Sequence, residues 1–136
     1  MAYVSKARRK TKELREPVPG NGTSLTPGKP HKVVISEVGT PVKGSMTLKF
    51  RDSFDEVHIE RIFLKSKDGD DISGLLKQLI AATANDSMEL KDWYDAFLND
   101  DKLAVVSLFD RCCIIETEYR GDYVNINTIR SANDRD

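Results

Sequence analysis

Apolar and polar positions alternate most cleanly in residues 112–129, CCIIETEYRGDYVNINTI. Successive side chains of a strand point to opposite faces. Folding this stretch about Gly121-Asp122 opposes Arg120 to Tyr123, Tyr119 to Val124, Glu118 to Asn125, Thr117 to Ile126 and Glu116 to Asn127. Glycine accepts the positive φ that the first position of such a two-residue turn requires. One face then carries Cys113, Ile115, Thr117, Tyr119, Val124 and Ile126, and the other Glu116, Glu118, Arg120, Tyr123, Asn125 and Asn127. The split predicts a hairpin with one side on a core and the other in water.

Three more strands are predicted upstream. Residues 31–38 form a near-continuous β-branched run. Residues 46–51 alternate, with Met46, Leu48 and Phe50 inward and Thr47, Lys49 and Arg51 outward. Residues 57–65 change parity midway, from Val57 and Ile59 to Ile62 and Leu64, and a β-bulge near Glu60-Arg61 would reconcile the halves. The apolar period then lengthens to 3.6. Ile72, Leu75, Leu76, Leu79 and Ile80 predict a helix capped by Asp70 or Asp71, extendable to Ala84. Leu90, Trp93, Tyr94, Phe97 and Leu98 predict a second, capped by Asp86 or Ser87, and residues 103–108 a short third.

Three strands, a helical insert and two strands is the strand plan of an OB-fold. The expected fold is therefore mainly β: a five-stranded OB-fold barrel with a helical insert between strands three and four. An open α+β sheet with helices on one face is the alternative.

Composition divides the chain. Its 136 residues are 39% hydrophobic and 32% charged, enough for one core plus unstructured segments. Lys6, Arg8, Arg9, Lys10, Lys12 and Arg15 make a basic arm, followed by a Pro- and Gly-rich lead. The reading is a disordered arm and linker over residues 1–24, an OB-fold domain over 25–132 and a polar tail over 133–136. No apolar run reaches the roughly 20 residues that span a bilayer, and no apolar segment follows the basic start. A cytoplasmic protein without a membrane partner is expected. Cys112 and Cys113 are strand neighbours pointing apart, which predicts one buried and one half-exposed thiol rather than a disulfide. Only His31 and His58 could join them at a metal, so no metal or cofactor is expected.

The net charge of −1 conceals an asymmetry. Residues 1–16 hold six bases and two acids, residues 29–67 eight and five, and residues 68–101 two and nine. A basic patch can therefore sit on a near-neutral protein. Lys43, Lys49, Arg51, Arg61 and Lys65 fall on or beside strands two and three, where they could track phosphates. Phe50, Trp93, Tyr94 and Phe97 sit at core-type positions. Phe54 in a turn, Phe63 opposite Ile62 and Leu64, and Tyr123 on a polar face are the aromatics free to stack on bases. No phosphate loop, catalytic triad or Cys-His pair appears, so no enzyme is expected.

Three segments carry a resemblance. LTPGKPHKVVISEV at residues 25–38, SLFDRCCIIETE at 107–118 and YVNINTIRSA at 123–132 resemble the small single-stranded DNA-binding proteins that tailed bacteriophages encode beside their recombination genes. Phe109-Asp110-Arg111 departs from the Gly-basic pair usual in that family, and the tail lacks a terminal Phe. The resemblance implies sequence-independent single-stranded DNA binding in phage replication or recombination. It implies phage or host replication and recombination proteins as partners, and leaves room for a homo-oligomer. The competing reading is a structural or adaptor module that binds a protein through the helical insert, which an exposed face at Trp93 would favour.

Overall fold

The computed structural model describes residues 23–133. Five strands, β1 (Pro30–Val38), β2 (Ser45–Arg51), β3 (Val57–Phe63), β4 (Cys112–Arg120) and β5 (Tyr123–Ser131), form one antiparallel sheet in the order β3-β2-β1-β4-β5. Helices α1 (Gly74–Thr83) and α2 (Ser87–Leu98) and a 3-10 helix (Lys102–Leu108) lie between β3 and β4. The mainly β architecture and the placement of the insert match the expectation. The closed barrel does not: no ladder joins β3 to β5. The two edges are instead bridged by a side chain, Glu60 of β3, whose Oε1 accepts from the main-chain N of Ile126 in β5 at 3.0 Å. Among the described residues no helix is long and apolar enough to cross a membrane.

The core gathers Val33 and Ile35 of β1, Met46, Leu48 and Phe50 of β2, Ile62 of β3, and Cys113, Ile115 and Ile126 of the last hairpin. Leu76, Leu79 and Ile80 of α1, with Trp93 and Phe97 of α2, close it from the insert side. From the N-terminal side the lead into β1 crosses the sheet. Ser24 N donates to Val57 O at 2.7 Å and Gly28 N to Thr117 O at 2.8 Å, while Leu25 between them is buried at 3% exposure. Two contacts spanning β3 and β4 thus hold an apolar plug in the core.

β3 contains no bulge. Its register against β2 runs unbroken from Ser45 opposite Phe63 to Arg51 opposite Val57. The residues it buries are His58, Glu60 and Ile62. The apolar parity misleads because two of the inward positions are polar. Glu60 pairs with His58, whose Nε2 is 2.7 Å from Glu60 Oε1, as buried polar groups generally require, while the buried His58 Nδ1 has no protein partner among the described residues. The bulges lie elsewhere, in β1 between Ile35 and Glu37 and in the last hairpin beyond Thr117.

That hairpin pairs as expected from Arg120–Tyr123 to Thr117–Ile126, and Gly121 has φ +64°. Glu116 then faces Thr128 instead of Asn127. The extra residue resets the alternation so that Ile129 is buried. Tyr119, expected inward, is 62% exposed, because the tip of the hairpin extends past the core.

The insert is tied down by polar contacts. α1 is capped by Ser73, whose Oγ accepts from Leu76 N at 3.2 Å, in place of the expected Asp70 or Asp71. The same hydroxyl donates to Phe63 O at 2.6 Å, which fixes the helix start to the end of β3. Asp86 caps α2, accepting from Glu89 N at 2.8 Å. Residues 103–108 form a 3-10 rather than an α helix. Arg111 then docks the insert on β4. It donates to both Glu89 oxygens, at 2.9 and 3.0 Å, and lies 4.8 Å from the centre of the Trp93 ring. Trp93 is only 6% exposed, so the open Trp93 face that would favour an adaptor is absent.

Candidate nucleic-acid interface

In an antiparallel ladder, opposed residues point to the same face. Arg51, Lys49 and Thr47 of β2 therefore share the outer face with Val57, Ile59 and Arg61 of β3. Phe63 ends that row at 55% exposure, and Arg61 lies over its ring, 5.0 Å from the centre. A cation over a ring favours the face-on geometry and leaves the opposite ring face for a ligand.

The β1–β2 loop, residues 39–44, overhangs this end of β3. A two-residue turn makes its tip: Val42 N donates to Ser45 O at 2.8 Å and Ser45 N to Val42 O at 3.2 Å. Both central residues are left-handed, Lys43 at φ +52° and Gly44 at +80°. Glycine adopts this conformation freely, whereas a lysine there is strained by about 1 kcal/mol or more. The loop is pinned by Gly39 N to Thr47 O at 2.8 Å and Leu64 N to Gly44 O at 2.9 Å. A Cβ at Gly39 would come within 3.1 Å of Thr47 O, so a side chain there would push the loop off β2.

Between loop and strands lies an open groove of about 390 Å3. Lys43, Arg61 and Phe63 line it together with Val42, Thr47 and the loop backbone, and none of its walls is acidic. Neither Lys43 nor Arg61 makes an ion pair among the described residues.

The remaining expected residues are placed as follows. Lys49 and Arg51 continue along the outer face, each beside one acid: Lys49 Nζ is 3.3 Å from Glu37 and Arg51 3.6 Å from Asp55. Exposed pairs of this kind contribute about 0–1 kcal/mol, so phosphate can displace the acid readily. Phe54 stands 83% exposed in the β2–β3 turn, held there by Asp52, whose Oδ1 accepts from Phe54 N and Glu56 N, both at 2.9 Å. It lies at the far end of β3 from Phe63, roughly 20 Å along the strand. Tyr123 is 51% exposed, opposite Arg120 at the tip of the last hairpin. Strand directions put that tip at the Phe54 end of the sheet, away from the groove. Beside it the outer face carries Glu116 and Glu118, and Glu118 holds Arg120 at 2.8 Å.

Lys65 is not on this face. Its Nζ donates to Leu98 O and lies 3.5 Å from Asp100, so it caps the end of α2. A cation at a helix C-terminus meets unpaired carbonyls and the negative end of the dipole. Two exposed aromatics escaped sequence reasoning, Phe109 before β4 and Tyr119; the parity of Tyr119 assigned it to the core, and the length of the hairpin beyond the core was the missing information. Cys113 is buried as expected, while Cys112 is exposed rather than half-exposed, and burial pushes the Cys113 thiol up to about 12.

No protein-family model matches this chain, and no curated protein matches it significantly.

Proposed function

We propose that this chain is a non-enzymatic, sequence-independent single-stranded DNA-binding protein that uses the outer face of β2 and β3. The observation that carries the reading is the groove in which Lys43, Arg61 and Phe63 converge without an acid. Single strands are held by cations that follow the phosphates and by aromatic faces that accept any base. Lys49 and Arg51 extend the cationic track from the groove toward Phe54. On this reading the open sheet keeps the OB-type strand order β3-β2-β1-β4-β5, with Glu60 bridging its two edges. The resemblance of residues 25–38, 107–118 and 123–132 to phage single-strand binders supports a role in phage replication or recombination, in the cytoplasm of the host, beside replication and recombination proteins.

The test is an anisotropy titration of labelled oligo-dT at several salt concentrations, with duplex DNA as competitor. Three or four phosphate contacts predict a log–log salt slope of about −2 to −3. Tight binding with that slope, resistant to duplex, is the expected result. An absence of binding at low salt sinks the proposal.

A further inference from the structure

The outer face of β2 and β3 is unequal at its two ends. At the Phe63 end the groove has no acidic wall. At the other end Phe54 stands exposed in a turn with three carboxylates, Asp52, Asp55 and Glu56. Asp52 holds the turn itself, accepting from Phe54 N and Glu56 N, while Asp55 and Glu56 are exposed. Arg51, the base of β2 beside them, lies 3.6 Å from Asp55. A strand whose base stacks on Phe54 brings its phosphates close to these acids, and like charges repel. Phe54 therefore has the ring of a stacking site, but β2 and its turn set only Arg51 against three carboxylates.

The fold roots a source of cations at this place. Ser24 is bonded to the first residue of β3: its N donates to Val57 O at 2.7 Å and its Oγ accepts from Val57 N at 2.9 Å. Val57 lies opposite Arg51 in the β2–β3 ladder and three residues after Phe54. The buried Leu25 and the bond from Gly28 N to Thr117 O at 2.8 Å keep the lead from sliding. The chain N-terminal to Ser24 thus leaves the domain beside Arg51, within about 10 Å of Phe54. Residues 17–23 are uncharged. Residues 6–15, which lie outside the described residues, hold Lys6, Arg8, Arg9, Lys10, Lys12 and Arg15 against one acid, Glu13. Arg15 is nine residues before Ser24, a reach of at most about 30 Å, so the whole turn is in range. Basic runs of this density are fitted to nucleic acid. The acidic insert is the competing site, but it starts past the Phe63 end of β3. Its Asp71, Glu89, Asp95 and Asp100 already face Lys77, Arg111, Lys91 and Lys65.

We propose that residues 6–15 form a second phosphate-binding element, which holds a single strand against the β2–β3 turn and offsets its carboxylates so that a base stacks on Phe54. The inference rests on the single-strand reading and adds a division of labour to it. The groove at Phe63 binds by itself, whereas Phe54 contributes only when the basic segment is present.

The test is a double-mutant cycle on the full chain, read by anisotropy with labelled oligo-dT. One variant replaces Lys6, Arg8, Arg9, Lys10, Lys12 and Arg15 by serine, and it is combined with Phe54→Ala and, separately, with Phe63→Ala. Circular dichroism should show every variant folded. The serine variant should bind at least about tenfold more weakly than the wild type. Phe54→Ala should weaken binding about tenfold in the wild type and less than about twofold in the serine variant, while Phe63→Ala has the same effect in both. Unchanged or increased affinity of the serine variant would overturn the proposal, the increase by showing that the segment lies on the protein's own carboxylates. So would a Phe54→Ala effect that is absent from the wild type or equal in both backgrounds. A wild type that binds no oligo-dT defeats the single-strand reading itself, whereas a wild type that binds while the cycle shows no coupling defeats this inference alone.

Discussion

Glu60 and Ile126 lie on the two edge strands of the sheet, and the Glu60 carboxylate accepts from the Ile126 main-chain N at 3.0 Å. The same carboxylate takes His58 Nε2 at 2.7 Å and Asn125 Nδ2 at 3.4 Å. Farther along β5, Gln78 of α1 accepts from Ile129 N at 3.0 Å. Side chains thus satisfy edge donors of β5 that a ladder with β3 would otherwise take. An edge whose donors are occupied is a poor template for a foreign strand.

Removing the Glu60 carboxylate should therefore destabilise the protein strongly. Glu60→Ala leaves His58 Nε2 and Ile126 N buried without an acceptor, and each group so stranded costs about 1–3 kcal/mol. Glu60→Gln keeps an acceptor for Ile126 and should lose about half as much. Urea denaturation of the three proteins measures this. Equal stability of wild type and Glu60→Ala would show that the seam is not held by this residue.

The outer face makes a graded prediction for DNA affinity. A base–aromatic stack contributes about 1–3 kcal/mol, so Phe63→Ala should weaken oligo-dT binding by roughly ten- to a hundredfold. Lys43→Ala and Arg61→Ala should each weaken it and flatten the salt slope by about 0.7. Lys65→Ala should leave affinity unchanged and lower stability, because Lys65 holds the end of α2. The contrast between Lys43 and Lys65 separates a local site from general positive charge.

Acid should act through Asp71. Lys77, the Tyr94 hydroxyl and the main-chain N of Ile72 hold its carboxyl down to about 2. Its unfolded value is about 3.9, so its contribution is complete above roughly pH 5 and disappears as the pH falls toward 2. Arg111, and then the main-chain N of Asn85, lower Glu89 in the same direction. Carbon-detected NMR titration should place the Asp71 midpoint near 2 in the wild type. Lys77→Met removes the largest cause and should raise it, and Tyr94→Phe should do so less. An ordinary wild-type midpoint would show that the cluster does not form.

Much of the fold was legible in the residues. The hairpin pairings from Arg120–Tyr123 to Thr117–Ile126, the inward set Met46, Leu48 and Phe50, and both amphipathic helices follow from periods of 2 and 3.6, which are local properties. Phe63 and Tyr123 were readable as exposed because each breaks the apolar stripe of its strand, and Phe54 because it falls in a turn with little to pack on. The parity of β3 was not readable. Burying His58 and Glu60 is favourable only because β5 supplies Ile126 N across the seam, and that partner is 66 residues away in sequence.

The candidate site divides along the same line. Alternation alone placed Lys49 and Arg51 on one face of β2, and the unbroken β2–β3 register brings Arg61 onto the same face. Bringing Lys43 over Arg61 and Phe63 required the β1–β2 loop to turn through Lys43 and Gly44 and to be pinned to Thr47 and Leu64. Sending Lys65 to α2 required the insert to pack where it does. The sequence by itself determined which side chains face out of the helices and of the strands other than β3 and the tip of the last hairpin, since that depends on local period. Only the tertiary structure decided which of them meet, and whether the sheet closes by a ladder or by Glu60, since both depend on contacts between residues far apart in the chain.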